Sequence, residues 1–230
     1  MPNVLIERDG RRGELVLNRP QRKNSLIGPL VEELLAGLRE LEADEDIGAI
    51  VIRGAEGGFC AGLDVKEFRA DPPPAWRANF SELWCEFHAS CFECPKPIVG
   101  ALEGFAIAGG SGLALACDLL VVGDGAFLEV AEARLGMAAP MNVAWLRIKL
   151  GLTRTYELVM GAERYYGPDL VRLGLATKTV PDPEVLSEAR ALADRLASFP
   201  APAHASTKRI VGALAPFDDA RAYFKATQAS

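Results

Sequence analysis

Two glycine-containing stretches hold the atoms of this 230-residue chain that could do chemistry. One is Phe59-Cys60-Ala61-Gly62-Leu63-Asp64-Val65-Lys66, which follows the apolar run Ile50-Val51-Ile52 and a glycine turn. The other is Gly104-Phe105-Ala106-Ile107-Ala108-Gly109-Gly110-Ser111-Gly112-Leu113, running on to Cys117-Asp118. It follows the short apolar strand Ile98 to Ala101 and opens an apolar helix. Small residues at such corners leave backbone N–H groups open to a ligand. A helix start adds unpaired donors and the positive end of a dipole. A single glycine loop is usually only a turn. Two of them, each just after a buried strand of one α/β core, can aim their N–H groups at a single oxygen. That is an oxyanion hole, in which one donor is worth about 3–4 kcal/mol of transition-state stabilisation.

The elements that must position these loops follow from patterning. Val4-Leu5-Ile6 and Glu14 to Leu17 flank Asp9-Gly10, a hairpin signal. Leu30 to Leu41 carries an apolar helical stripe at 30, 31, 34, 35, 38 and 41. Ile47 to Ile52, Ile98 to Ala101 and Leu119 to Val122 read as strands. Asp71-Pro72-Pro73-Pro74 is a loop leading into a helix that runs to about Phe92. From Pro140 the pattern is mostly helical, over 140–150, 153–160, 168–173, 183–198, 201–214 and 217–228. The expectation is an α/β core over 1–139 and a helical region over 140–230, whose apolar faces pack on another subunit and help close the pocket.

Composition narrows the function classes. Half the residues are hydrophobic, enough for a large core. A net charge of −6, with no basic run longer than Arg11-Arg12 or Arg22-Lys23, argues against a nucleic-acid face. No apolar run approaches the roughly 20 residues that span a bilayer, and the N-terminal residues carry no secretory pattern. The five cysteines include Cys91-x-x-Cys94, but no second Cys/His pair completes a zinc site. A reduced, cytoplasmic protein without a metal is expected.

Five segments in order resemble the crotonase (enoyl-CoA hydratase/isomerase) superfamily over nearly the whole chain. They are Asn18-Arg19-Pro20 with Asn24-Ser25-Leu26; Phe59 to Asp64; Lys96-Pro97-Ile98-Val99-Gly100-Ala101; Ala108 to Asp118; and Glu132-Ala133-Arg134-Leu135-Gly136. The resemblance implies a spiral of ββα repeats with a C-terminal helical trimerisation region. It implies an acyl-CoA thioester substrate, no separate cofactor, and a homotrimer or dimer of trimers. It places the oxyanion-hole donors at Leu63 and Gly109, with Ala61, Asp64, Val65, Lys66 and Gly110 as further substrate contacts. Lys66 could meet a CoA phosphate or stand as a solvated lysine at a helix start; Arg22 and Lys23 are further candidates.

The departures from that pattern carry the most information. Hydratases of the family use two glutamates, and the position of the first is Gly112 here. The position of the second is Glu132, set among Leu128, Val130, Ala131, Ala133 and Met137. A carboxylate in such apolar surroundings should have a raised pKa, suited to a general base near neutral pH. Glu129 is the weaker candidate. Hydration of a 2-enoyl thioester asks for one group to deprotonate water and another to deliver a proton. Moving a double bond from C3 to C2 asks for one base only. Glu132 to Pro140 also resembles the Glu-x-x-Leu-Gly-x-x-Ala-Pro pattern of single-glutamate Δ3,Δ2-enoyl-CoA isomerases. Isomerisation is therefore the expected reaction. Hydration, other enolate chemistry (hydrolysis, decarboxylation, C–C lysis) and non-catalytic acyl-CoA binding are the alternatives. His88 reads as a partly buried helix residue. Ser111 has no evident base. Phe68, Trp84, Phe87, Met141 and Trp145 could line the acyl pocket or fill the core.

Overall fold

The computed structural model describes residues 1–228. The chain begins with β1 (Val4–Asp9) and β2 (Arg12–Leu17), antiparallel about Gly10 at φ +58°. In α1 (Gly28–Ala43) the expected stripe is buried, with Leu30, Leu34, Leu38 and Leu41 on one face. β3 (Ala49–Gly54) pairs parallel with β2. Beyond it come the single turn α2 (Val65–Phe68), a 3₁₀ turn over Ala75–Ala78, and α3 (Phe80–Glu93). Then follow β4 (Ile98–Leu102), β5 (Phe105–Ile107) and α4 (Gly109–Leu115). The motif repeats as β6 (Leu119–Gly123), β7 (Phe127–Glu129), a 3₁₀ turn over Glu132–Leu135, and α5 (Pro140–Leu150). The chain closes with α6 (Leu152–Gly161), β8 (Arg164–Tyr166), α7 (Gly167–Leu173), β9 (Lys178–Val180), α8 (Val185–Ala197), α9 (Ala201–Ala213) and α10 (Ala220–Ala226).

Among the described residues, one sheet runs β1-β2-β3-β4-β6-β9, parallel from β2 onward, and a smaller sheet runs β5-β7-β8. Each turn of the spiral contributes a strand to the large sheet, a strand to the small one, then a helix: β4-β5-α4, then β6-β7-α5. The preceding turn uses β3, and only Cys60 bridges into the small sheet, opposite Ala106. This is the expected spiral of ββα repeats. It stacks the loops after β3 and β5 on each other, which brings the two glycine stretches together.

The large sheet is buried on both faces, as parallel strands usually are. Ile50, Ile52, Ile98 and Val122 face the main core with α1, α3, α4 and α5. The alternate residues Ala49, Val51, Val99, Ala101 and Val121 face Val185, Ala189, Leu192 and Ala193 of α8. So α8 buries its apolar face on its own chain, where packing on another subunit was expected. In α9 no residue is buried, and its Ile210 and Val211, with Leu214 just past its end, stand in solvent. The chain after Pro140, expected to be mostly helical, also holds two strands, β8 and β9. One of them, β9, returns to the large sheet beside β6. The end of the expected helical region, residues 229–230, lies outside the described residues. No described helix is long and apolar enough to cross a membrane.

Candidate active site

The first loop is held by a polar clamp built from the Asn18-Arg19-Pro20 and Asn24-Ser25-Leu26 segments. The Asn24 side chain accepts from the Arg19 N–H at 3.0 Å and donates to the carbonyls of Ala55 and Gly58 at 3.0 and 2.6 Å. The Arg19 guanidinium donates to the Ser25 carbonyl at 2.7 Å and reaches Asp64 and Glu67 at 3.4 and 3.3 Å. Asp64 also accepts from the Glu67 N–H, capping α2. Its buried carboxylate is thus turned into the loop. Leu26 N–H donates to the Gly62 carbonyl and Asp64 N–H to the Leu26 carbonyl. In an extended segment neighbouring N–H groups point to opposite sides. With its flanks committed to Leu26, the Leu63 N–H faces the other way, toward α4. Gly62 takes φ +82° there, and a Cβ would stand 2.7 Å from the Ile107 carbonyl oxygen.

The second loop turns on Ala108, a non-glycine residue at φ +52°, ψ −119°. Such a conformation costs on the order of 1–3 kcal/mol and persists only where its surroundings over-determine it. Here the Ala108 carbonyl accepts from the N–H groups of Ser111 and Gly112 at 2.9 and 3.2 Å and from Asn142 Nδ2 at 3.0 Å, and it shares the single Ser111 hydroxyl hydrogen, with Oγ 2.5 Å away, with Asn142 Oδ1. In a trans peptide the N–H lies opposite the C=O. The Gly109 N–H therefore points away from these donors, toward the first loop. A Cβ on Gly109 would lie 3.8 Å from Leu63 N, and one on Gly62 would lie 3.1 Å from Gly109 N. Neither the Leu63 nor the Gly109 N–H has a hydrogen-bond partner among the described residues. Gly110 packs beneath them; a Cβ there would come 2.2 Å from the Cys60 carbonyl oxygen.

These donors open onto a cavity of about 270 Å³, lined among others by Ala61, Leu63, Val65, Gly109, Trp84 and Glu132. Glu132, in the 3₁₀ turn after β7, is 9% exposed. Its Oε1 accepts from Asn142 Nδ2 at 3.0 Å, while its buried Oε2 has no partner. Burial raises its pKa and outweighs the lowering effect of hydrogen bonds, including that from Asn142. It is the one carboxylate among the described lining residues. Glu129 pairs instead with Arg164 at 2.9 Å and Arg134 at 3.6 Å. Lys66, Arg22 and Lys23 are exposed, and none of them lines the cavity.

Of the aromatic candidates for the acyl wall, Trp84 lines the cavity, as does Met141, and Phe80 joins them. Phe68 packs on Trp76 and Phe80, and Phe87 and Trp145 are core residues around His88. His88 is fully buried, more than the partial burial expected. Its Nδ1 accepts from Trp145 Nε1 at 2.8 Å, and burial lowers its pKa to about 3. Gly112 is buried in α4. A Cβ there would stand 3.4 Å from Met141 Cβ, 3.7 Å from His88 Cε1 and 3.8 Å from Asn142 Oδ1.

Sequence reasoning missed Asn142. It stands alone as a polar residue in Pro140-Met141-Asn142-Val143-Ala144-Trp145-Leu146, and that isolation was the available signal. All five cysteines are buried free thiols, and burial pushes Cys60 and Cys117 up to about 12.

A family model described as enoyl-CoA hydratase/isomerase matches residues 13–229. A probable enoyl-CoA hydratase of Mycobacterium tuberculosis is 34% identical over 213 residues, covering 90% of this chain and 80% of that protein. The crystal structure of an enoyl-CoA hydratase from Polaromonas sp. JS666 is 29% identical with a TM-score of 0.84, covering 90% of this chain and 82% of that one. A monofunctional enoyl-CoA isomerase from M. smegmatis is 26% identical with a TM-score of 0.76, covering 91% of each.

Proposed function

The chain belongs to the enoyl-CoA hydratase/isomerase family, and from that premise we propose that it isomerises a 3-enoyl-CoA to the 2-enoyl-CoA through a dienolate. The thioester oxygen sits between the N–H groups of Leu63 and Gly109. Glu132 Oε2 takes a proton from C2, and the C2–H electron pair moves into the thioester to leave negative charge on that oxygen. The two N–H groups stabilise this charge without reorganising. The same oxygen of Glu132 returns the proton at C4, which completes the double-bond shift with no net gain or loss of atoms. No redox partner or cofactor is needed beyond the coenzyme A of the substrate. Ala61 and Val65 border the thioester, Gly110 lets α4 approach the first loop, and Lys66 faces the nucleotide from the rim.

The observation that carries this reading is the solitary Glu132 opposite a glycine at position 112. One carboxylate can shuttle a proton between C2 and C4, whereas hydration asks for a second group and Gly112 has no side chain to supply it. Hydration of a 2-enoyl-CoA is the second reading, favoured by the hydratase names of the relatives. The two separate in one assay: offer the wild-type chain and Glu132→Gln a 3-enoyl-CoA and a 2-enoyl-CoA. Isomerisation of the first that is lost in Glu132→Gln supports the proposal. Rapid hydration of the second, unaffected by Glu132→Gln, overturns it. The same reading carries a homotrimer or dimer of trimers, for which α9 and its C-terminal cap offer the exposed side chains Ile210, Val211 and Leu214; sedimentation tests it.

A further inference from the structure

Asn142 is 1% exposed and has a side-chain amide with two donor hydrogens and one acceptor oxygen, all of them spoken for. Nδ2 lies 3.0 Å from the Ala108 carbonyl oxygen and 3.0 Å from Glu132 Oε1, and Oδ1 lies 2.8 Å from Ser111 Oγ. The Ala108 carbonyl can only accept, so the face of the amide toward it must be the NH₂ face. That leaves the second Nδ2 hydrogen for Glu132 Oε1 and turns Oδ1 to the Ser111 hydroxyl.

We propose that Asn142 is the positioning residue that locks the two halves of the active site together. Its one NH₂ group holds the Ala108 carbonyl, and through the rigid 108–109 peptide aims the Gly109 N–H. The same group anchors Glu132 by Oε1 and leaves Oε2 as the sole oxygen free to carry a proton. Ala108 bears a conformational penalty to present its carbonyl this way, and the amide is one of the contacts that holds it there. A shift of α5 would therefore disturb donor and base together. This inference rests on the roles given above to Gly109 and Glu132, but both of its arms can be read without turnover.

The test uses the full chain with Asn142→Leu, which keeps the side-chain shape and removes every hydrogen bond. Asn142→Ala serves as a second variant, because water can enter the vacated space and keep the fold intact. Acetoacetyl-CoA, a 3-ketoacyl thioester that is acidic at C2, probes the oxyanion donors through its Kd and through the near-ultraviolet band of its bound enolate. Difference infrared titration against Glu132→Gln reads the Glu132 carboxyl. In either Asn142 variant the ligand should bind about tenfold more weakly, the size of one hydrogen bond, with a weaker enolate band. Glu132 should titrate at higher pH, because a hydrogen bond to its charged form is gone. Glu132→Gln alone should leave the donors aimed at the thioester oxygen, with a Kd within a few fold of wild type. A folded Asn142 variant in which either the enolate band or the Glu132 titration stays as in wild type overturns the proposal. If wild type isomerises no 3-enoyl-CoA while both readouts shift, the isomerase reading falls and the lock stands.

Discussion

Glu132→Gln should make the protein inactive and more stable at once, and the structure says by how much. Glu132 is buried and its Oε2 has no partner. A buried unpartnered polar atom costs about 1–3 kcal/mol, more when charged. Glutamine keeps the shape and can still offer its carbonyl oxygen to Asn142 Nδ2, while its NH₂ replaces a charged orphan by a neutral one. The expected gain in stability at pH 8 is about 1–2 kcal/mol, or about 2–8 °C in Tm for a chain of this size. The sign depends on pH. The folded pKa of Glu132 is raised, so its favourable contribution is fully present below the unfolded value of 4.5 and is lost as pH rises through the folded value. The advantage of the glutamine variant should therefore vanish below about pH 4 and grow as pH rises through the folded value of Glu132. Guanidinium unfolding of both proteins at pH 4 and pH 8 measures it. Turnover of a 3-enoyl-CoA should fall by about 10²–10⁴, the usual contribution of one positioned acid–base group. A variant that is no more stable at pH 8, or equally more stable at both pH values, would refute the claim that Glu132 is strained by burial.

Three further outcomes follow from contacts elsewhere. Gly112→Ala should stabilise by about 0.5–1 kcal/mol through helix propensity, since its Cβ meets nothing closer than 3.4 Å, whereas Gly110→Ala should cost more than about 3 kcal/mol as its Cβ meets the Cys60 carbonyl oxygen at 2.2 Å; thermal denaturation of the pair checks both. Asn24→Ala should cost about 2–3 kcal/mol, because the Ala55 and Gly58 carbonyls and the Arg19 N–H lose their partner, and acetoacetyl-CoA should bind more weakly as the first loop loosens. Burial pushes the Glu14 carboxyl up, but hydrogen bonds from Arg190, Arg53 and Arg12 win and hold it at about 2; being lowered, it contributes about 3 kcal/mol that is present above the unfolded value of 4.5 and lost as pH falls toward 2. Glu14→Gln should remove that stability at pH 7 and flatten the acid limb of the unfolding curve.

What sequence could and could not show follows from the scale of each signal. The strands of the large sheet up to β6 announce themselves as apolar runs of three to six residues. By contrast β5, β7, β8 and β9 are three residues each, too short to show a period of two. β5 also hides inside the glycine stretch, where Phe105-Ala106-Ile107 looks like the lead into a helix. The register that joins β9 to β6 depends on contacts 57 residues apart, Val121 with Lys178, and no local pattern encodes it. The fate of α8 was misjudged for a related reason. Its apolar stripe says that it must be covered, but a stripe reads alike whether the cover is its own sheet or another chain.

The same limit applies at the site. Glycines are visible as the absence of side chains, so both donor loops were legible, and Glu132 stood out as a charge in an apolar stretch. What aims the donors was not. The Gly109 N–H is directed through the carbonyl on the far side of its own peptide, by Ser111 and by Asn142, a residue far along the chain. Ala108 is an ordinary residue in a backbone conformation that glycine favours, and the letter alanine carries no trace of it. Asn142 reads as one stray polar residue near a helix start until the spiral folds it over both Ala108 and Glu132. A glycine motif therefore says where a charge can be held. How firmly it is held is set by the hydrogen bonds behind it, and those depend on which helix the fold lays across the loop.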